Sequence, residues 1–313
     1  MATGLVSDPI YRQHDTGIGH PEQPARFDAV MRAAEGLHDL TPIKARAANE
    51  DEVALVHTRP YIATAKHDVA SGLHELTTGD TNISAQSFEV ALRGVGGVLN
   101  AVDEVIAGRV DNAFCAVRPP GHHARPNQGM GFCLFNNIAI AARYAQRKHG
   151  LSKVLIADWD VHHGNGTQDT FYSDGSVLFF STHQAPWYPG TGAANETGEG
   201  KGSRCIINRP FAAGSGKGEI VKAFQEDLRR AADAFKPDLV LISAGFDSRR
   251  NDPLGQFTLT DEDFEDLTHI MLTIAGEHCQ SRLVSVLEGG YSLTGLASAA
   301  RAHLHTLTGP GSH

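Results

Sequence analysis

The stretch VLIADWDVHHGNG, residues 154–166, opens as an apolar run and goes on to two aspartates, two adjacent histidines and an asparagine. Its first half is rich in Val, Ile and Leu with little alternation, which predicts a β-strand covered on both faces. Charged and polar groups are unfavourable in a buried setting unless they have partners. Their concentration at the end of a buried strand therefore indicates a functional site.

Five more apolar runs have the same character, and helical patterns lie between several of them. The strand runs cover 112–117, 153–159, 176–182, 203–208, 238–245 and 282–288, and the helical patterns cover 86–108, 136–150, 218–235 and 261–278. This alternation predicts an α/β fold, with a mostly parallel central sheet and helices on both faces. No linker or internal repeat is visible, so we expect one catalytic domain over residues 1–313.

Composition narrows the class of protein. The chain has 313 residues and a formal net charge of −9 with the histidines neutral. This balance argues against nucleic acid as a direct partner and is compatible with a cationic substrate. No apolar run approaches the roughly 18 residues of a membrane span, and no signal-peptide pattern is visible in the first 15 residues, so we expect neither feature. The four cysteines are far apart, which predicts buried free thiols and a cytoplasmic location.

Segments rich in polar residues and glycine follow the carboxyl ends of several predicted strands. The segments that follow five of them are RPPGHHA, DVHHGNG, HQAPWYPGTG, FDSRRND and GGY. Open parallel sheets place their ligands at the carboxyl ends of the strands. We therefore expect these five segments to converge on a single site.

Asp160 and His162 stand two residues apart, so their side chains point to one side if the strand continues through them. Asp247, at the end of another strand, can supply a third ligand. An Asp/His/Asp set with an open position suits catalytic zinc or another divalent metal. The alternative is an Asp–His hydrogen bond that stabilises a turn; the convergence of five segments favours the metal site.

His122 and His123 follow a Pro-Pro-Gly turn. A neutral imidazole can take a proton from an attacking water near pH 7, although the pair could also supply metal ligands or form a turn. His163, Asn165 and Asp158 are candidates for holding histidine rings in place.

Aromatic residues appear in the same segments. Tyr291 follows two glycines, and a tyrosine hydroxyl is a good donor to a developing oxyanion. Phe132 and Tyr188 lie in glycine-rich segments, where they could line an apolar channel or simply pack.

Taken together, the motifs RPPGHHA, GFCLFNN, DWDVHHGNGTQ, YPGTG, SAGFDS and LEGGY resemble the zinc-dependent histone deacetylase family, and in particular its class II branch and the related bacterial amidohydrolases. The resemblance runs in the family's order from residues 19–27 to Tyr291. It implies the arginase–deacetylase fold, an α/β sandwich around a mainly parallel sheet.

The resemblance also implies roles. The zinc ligands would be Asp160, His162 and Asp247. His123 would be the base, with His122 as its electrostatic partner; Asp158 would orient His122, Asn165 would orient His123, and Tyr291 would polarise the acyl carbonyl. Arg26 matches the arginine of an interior acetate-exit channel. The substrate-binding set would be Phe132, Tyr188, Gly131, Leu254, His20 and Asp80. A structural potassium ion would be held by Asp158, Asp160, His162, Ser181 and Thr182.

The implied activity is metal-assisted removal of an acetyl or other acyl group from a lysine side chain of a protein or peptide. The alternative substrate is an acetylated polyamine or other small acylated amine. Polyamine-selective relatives carry a glutamate seven residues after the last zinc aspartate, where this chain has Leu254, and this favours acyl-lysine. If that expectation fails, another acidic residue in the segments facing the pocket, such as Glu22 or Asp80, would have to recognise the second ammonium. A non-catalytic acyl-lysine-binding protein and a binuclear manganese ureohydrolase are further alternatives.

Overall fold

A central sheet of parallel strands organises the computed structural model, which describes residues 2–309. The strands are β1 (Thr3–Val6), β2 (Leu40–Ile43), β3 (Asn112–Cys115), β4 (Val154–Asp158), β5 (Val177–Gln184), β6 (Ile206–Phe211), β7 (Leu239–Ala244) and β8 (Leu283–Leu287). They form one sheet in the order β2-β1-β3-β8-β7-β4-β5-β6. The predicted α/β fold with a mostly parallel sheet is confirmed.

Helices cover both faces of the sheet. They are α1 (Ala25–Ala34), α2 (Glu50–Val53), α3 (Arg59–Ala70), α4 (Ser87–Ile106), α5 (Asn137–His149), α6 (Asn165–Phe171), α7 (Ile220–Ala223), α8 (Arg229–Phe235), α9 (Asp261–His278) and α10 (Leu293–Thr308). Short 3-10 turns span Pro9–Gln13 and Gly200–Gly202, and a π-helical turn, Phe224–Leu228, joins α7 to α8.

Alternation along each strand divides the interior into two cores. Val154 and Ile156 pack in one core with apolar residues of α3, α4 and α5. Leu155 and Ala157 point the other way, into a core shared with α1, α9 and α10. Because both faces of β4 are buried, its sequence reads as an unbroken apolar run.

Several predicted boundaries differ from those observed. β6 begins and ends three residues later than predicted, and β5 continues to Gln184. β1 and β2 were not predicted, because each has four residues and β2 contains Pro42. Proline is tolerated there because β2 is an edge strand. The expectation of four buried thiols is wrong for Cys205, which precedes β6 and is partly exposed.

The order of strands sets the place of the site. β3, β8, β7, β4 and β5 are consecutive neighbours in the sheet, and they are the five strands followed by the unusual segments. In a parallel sheet their carboxyl ends share one edge. The segments that begin there therefore meet above the middle of the sheet.

Candidate active site

Three ligand-bearing side chains converge beyond the ends of β4 and β7. Asp160, His162 and Asp247 each offer one ligand atom, and these atoms lie within 4.8 Å of one another. His162 Nδ1 lies 3.0 Å from Asp160 Oδ1 and 3.1 Å from Asp247 Oδ2. All three residues are buried. This is a mixed nitrogen and oxygen set of the kind that holds zinc in catalytic sites.

The charges of this cluster fit a bound cation. Burial, followed by the neighbouring Asp160 carboxylate, raises the pKa of Asp247. Burial also opposes ionisation of Asp160, but His122 and His162 lower its pKa overall. Gly289 lets the backbone approach both carboxylates, since a Cβ there would overlap the carboxylate of Asp247. Two buried carboxylates so close together need compensating positive charge, which a divalent metal supplies.

The turn after β4 brings Asp160 and His162 together by a route that the sequence did not predict. β4 ends at Asp158, so the expectation that strand alternation aligns the two ligands is wrong. Side-chain oxygens instead accept from backbone N–H groups: Asp158 Oδ1 from Asp160 at 3.1 Å, and Asp160 Oδ1 from His162 at 2.9 Å. Such bonds compete with strand pairing and favour a turn.

The adjacent histidines have different partners. His122 Nδ1 lies 2.9 Å from Asp158 Oδ2, whereas His123 Nδ1 lies 2.8 Å from the amide oxygen of Asn165. Burial opposes a charge on His122, but Asp158 and Asp160 raise its pKa to about 10. Burial and the nearby His122 lower the pKa of His123. The pair therefore combines a cationic ring with a neutral one that can accept a proton.

A cavity of about 260 Å³ opens onto these groups. Its lining includes one metal-site residue, one member of the histidine pair and most of the predicted substrate-binding set: Asp80, His123, Gly131, Phe132, His162, Trp187, Tyr188, Leu254 and Tyr291. His20 is absent from this lining; its ring packs edge-on against Phe132, with 4.7 Å between centroids.

Two aromatic rings stand beside the reactive groups in this cavity. Phe132 meets Tyr291 edge-on with 5.9 Å between centroids, and Tyr188 meets His123 edge-on at 5.2 Å. Gly131 has φ +57°, and a Cβ there would overlap the ring of His123. Phe132 also has a positive φ, 68°, an uncommon backbone state for a phenylalanine. Glycine at 131 is therefore required for the aromatic wall to lie so close to His123.

Asp80 links the two sides of the cavity mouth. Its Oδ1 accepts from the backbone N–H of Gly131 at 2.7 Å, and its Oδ2 accepts from the hydroxyl of Tyr188 at 3.0 Å. Trp187 adds a second connection, since its Nε1 donates to the carbonyl of Leu254 at 2.9 Å. Hydrogen bonds thus connect the segments of the mouth in a row, from Gly131 through Asp80 and residues 187–188 to Leu254.

The turn that carries Tyr291 is held from several sides. The Asp252 carboxylate accepts from the backbone N–H groups of Tyr291, at 2.7 Å, and Ser292, at 3.0 Å. Arg26 Nε donates to the carbonyl of Gly290 at 2.7 Å, and its guanidinium carbon lies 5.0 Å from the centroid of the Tyr291 ring. Tyr291 is therefore fixed in backbone and ring.

Glu22 does not face the pocket, contrary to the expectation that it could recognise a substrate ammonium. It is fully buried and forms ion pairs with Arg26 at 3.0 Å and Arg118 at 2.6 Å. Burial opposes its ionisation, but Arg118 and its other partners lower the pKa of Glu22 to about 2. The Glu22 carboxylate is therefore paired with two buried arginines. Of Glu22 and Asp80, only Asp80 lines the cavity.

Two of the predicted potassium ligands, Asp158 and Ser181, lie side by side on neighbouring strands. Ser181 is the partner of Asp158 in the β4–β5 register, and its hydroxyl lies 3.0 Å from His183 Nδ1. Thr182 Oγ1 is buried and lacks a hydrogen-bond partner among residues 2–309. Because side chains alternate along a strand, the Thr182 hydroxyl points away from the face that Ser181 and Asp158 share, and the Ser181 hydroxyl is already engaged.

His163 serves a different purpose from that expected. Its Nδ1 lies 2.7 Å from Thr191 Oγ1 and its Nε2 lies 3.1 Å from Gln168 Oε1. Both ring nitrogens therefore bind the surrounding segments, and His163 does not orient another histidine.

Sequence reasoning missed three residues of the site. Trp187 lines the cavity, Asp252 holds the Tyr291 turn, and Glu288 accepts from the backbone of the histidine turn. Trp187 and Glu288 stand within quoted motifs, so their positions could have been noticed. Asp252 stands within FDSRRND as well, but its role could not be inferred, because a carboxylate that binds backbone N–H groups follows no local pattern.

The comparisons with known proteins agree with this geometry. The model of the family described as "Histone deacetylase domain" matches residues 20–307. A protein of Archaeoglobus fulgidus named "Probable deacetylase" is 39% identical over 303 residues, which cover 94% of this chain and 83% of that protein. The human "Polyamine deacetylase HDAC10" is 40% identical over 302 residues, which cover 92% of this chain and 44% of that protein.

A solved structure shows the same fold. The crystal structure of the HDA15 HD domain superposes with a TM-score of 0.92 at 37% identity, covering 99% of this chain and 89% of that one. The chain belongs to the histone deacetylase family. Its similarity to named deacetylases supports a hydrolase that removes acetyl groups. Within residues 2–309, none of the helices has the length and apolar character needed to cross a membrane.

Proposed function

We propose that this protein is a zinc-dependent amidohydrolase that removes acetyl or other acyl groups from the side-chain amine of lysine. One observation carries the proposal: His162, which lies against Asp160 and Asp247, lines the same cavity as His123 and Tyr291. Membership of the family supports the reaction class. The class II character suggested by the motifs and the cytoplasmic location stay predictions.

The chemistry of the ligand set supports zinc. Asp160, His162 and Asp247 would hold the ion, and zinc bound there would polarise the acyl carbonyl and lower the pKa of water toward about 7. A structural potassium ion held by Asp158, Asp160, His162, Ser181 and Thr182 belongs to the same proposal, and the resemblance of the sequence motifs supports it.

The side chains of the cavity divide the proton chemistry. With Nδ1 held by Asn165, His123 has its Nε2 lone pair available, and we assign it the proton of the attacking water. The hydroxyl of Tyr291 donates a hydrogen bond to the oxygen of the tetrahedral intermediate. His122, paired with a carboxylate, stabilises the negative charge nearby. A protonated histidine then gives its proton to the amine, so that a carboxylate and a free amine leave.

The cavity walls support an acyl-lysine stem. Phe132 and Tyr188 offer apolar ring surface on either side of the reactive groups, and Leu254 leaves its part of the mouth without charge. Acetylated polyamine is the second candidate, because a human relative is named as a polyamine deacetylase and the chain is acidic overall.

The test is a panel of substrates offered to the purified protein. Acetyl-lysine peptides, longer acyl-lysine peptides and acetylspermidine are compared after metal removal and after zinc is restored. We expect turnover only with metal and a higher kcat/KM for a peptide. Turnover of acetylspermidine far above that of every peptide would replace lysine as the substrate. Absence of turnover by the zinc-loaded protein, with acyl-lysine peptide still bound, would identify a binding protein instead.

A further inference from the structure

Glu288 is a buried carboxylate that no step of the proposed reaction uses. It follows β8, and its side chain is fully buried. Its Oε2 accepts two backbone hydrogen bonds, from Gly121 at 2.6 Å and from His122 at 3.1 Å. Its Oε1 lies 3.4 Å from the hydroxyl of Ser243. One oxygen atom therefore holds both N–H groups of the turn that carries the histidine pair.

The turn depends on this acceptor because of where it lies. β3 and β8 are neighbours in the sheet, so the segment leaving β3 passes directly over the end of β8. Gly121 and His122 are buried, and a buried N–H group needs a partner. Space for an alternative path is lacking, since a Cβ on Gly121 would lie 2.6 Å from the backbone nitrogen of Asn137. The Glu288 carboxylate thus supplies the bonds that neither strand can.

The backbone that carries the carboxylate is held in place. The carbonyl of Glu288 accepts from Arg26 Nη2 at 2.5 Å, and the N–H of Gly289 donates to Asp160 Oδ2 at 2.8 Å. The residue that fixes the histidine turn is therefore tied to the backbone near Tyr291 and to a predicted metal ligand. Movement of Glu288 would change the distance between His123 and both of these groups.

We infer that Glu288 is a positioning residue, which holds the His122–His123 turn so that the ring of His123 faces the cavity. The inference rests on the proposed function, because it assigns Glu288 to the support of the proposed base. Glu288 fulfils this role through its accepting oxygen and not through its negative charge. An uncharged side chain with an oxygen at the same place should therefore replace it.

Two variants of similar size distinguish the effect of the accepting oxygen from the effect of the negative charge. Glu288→Gln and Glu288→Met both remove the charge, but only Gln can still accept the two N–H bonds. With zinc-loaded protein and acetyl-lysine peptide, we expect E288Q to keep kcat within about fivefold of the wild type. E288M should lose about 10²-fold in kcat, because the base is displaced, while KM and zinc content stay near those of the wild type. Ser243→Ala, which removes only the hydroxyl near Oε1, should leave kcat unchanged.

Equal kcat for E288Q and E288M would overturn the inference, and so would a loss confined to KM. If E288M does not fold, as judged by circular dichroism, E288Q decides alone: retained kcat supports the acceptor role and a loss of more than about tenfold contradicts it. Failure of the wild type to turn over any acylamide would count against the proposed function only. Crystal structures then test Glu288 separately, because E288M must lengthen the 2.8 Å contact between His123 and Asn165 and E288Q must not.

Discussion

Replacing Leu254 by glutamate should shift the protein toward acetylated polyamines. Leu254 lines the cavity mouth and is partly exposed. Its backbone is anchored on both sides, because its N–H donates to Asp252 Oδ1 at 3.0 Å and its carbonyl accepts from Trp187 at 2.9 Å. A substituted side chain should therefore change the charge of the mouth without moving the segment.

The size of the effect follows from the distance between charges. A carboxylate about 4 Å from the second ammonium of a polyamine gains about 4 kcal/mol at an effective dielectric of 20, and about 1 kcal/mol in bulk water. Since the position is partly solvated, we expect a gain of about 1–2 kcal/mol, or about five- to thirtyfold in relative kcat/KM. Asp80 already lies in the lining, but its two oxygens accept from Gly131 and Tyr188.

The assay compares kcat/KM for acetylspermidine and for an acetyl-lysine peptide. Leu254→Gln is the matched control, because it has the same length as glutamate without the charge. The ratio of acetylspermidine to peptide should rise for L254E, stay near the wild-type value for L254Q, and fall back in about 0.5 M salt, where charges are screened within a few ångströms. The same ratio for both variants would refute the electrostatic reasoning.

Other outcomes follow from the site and the core. Asp160→Ala and Asp247→Ala should each prevent binding of the single zinc ion, and full occupancy of either variant by elemental analysis would contradict the ligand assignment. His123→Ala should keep zinc but lose about 10²–10⁴-fold in kcat; near-normal turnover would move the base to His122. Burial lowers the pKa of His57 to about 4, so the unfolded chain takes up this proton first as the pH falls. Stability against urea should be fully present above about pH 6.5 and decline toward pH 4, by up to about 1.4 kcal/mol per pH unit from this residue. His57→Gln should flatten that slope, and an unchanged slope would show that other groups cause it.

The strands could be predicted where burial on both faces leaves a visible pattern. β4 and β7 are unbroken apolar runs, so sequence alone locates them. β1 and β2 escape because strands of four residues, one containing Pro42, resemble irregular segments. They form only because their neighbours in the sheet supply the pairing, and no local pattern carries that information.

The site divides in the same way. The predicted metal ligands and the histidine pair could be proposed because their residue types and spacing in the sequence are typical of metal binding and proton transfer. Asp158 and Asn165 could also be proposed as supports, but the roles of Asp252 and Glu288 could not, because these two accept from backbone N–H groups 39 and 166 residues away. The error about the strand through Asp160 has a similar origin. Side-chain alternation predicts a strand through His162, whereas the carboxylates of Asp158 and Asp160 accept from backbone N–H groups and form a turn there.

The hydrogen-bonded segments around the cavity mouth have a consequence for how such proteins diversify. The reactive groups lie close to neighbouring strand ends, whereas Asp80, Trp187 and Leu254 line the mouth from three different segments that hydrogen bonds connect. Exchanging any of these segments alters the entrance and leaves the floor of the cavity intact. Under the proposed function, changes in these segments should therefore alter selectivity between lysine side chains and small diamines while the hydrolytic reaction stays the same, and a transplanted entrance is the natural starting point for redesign.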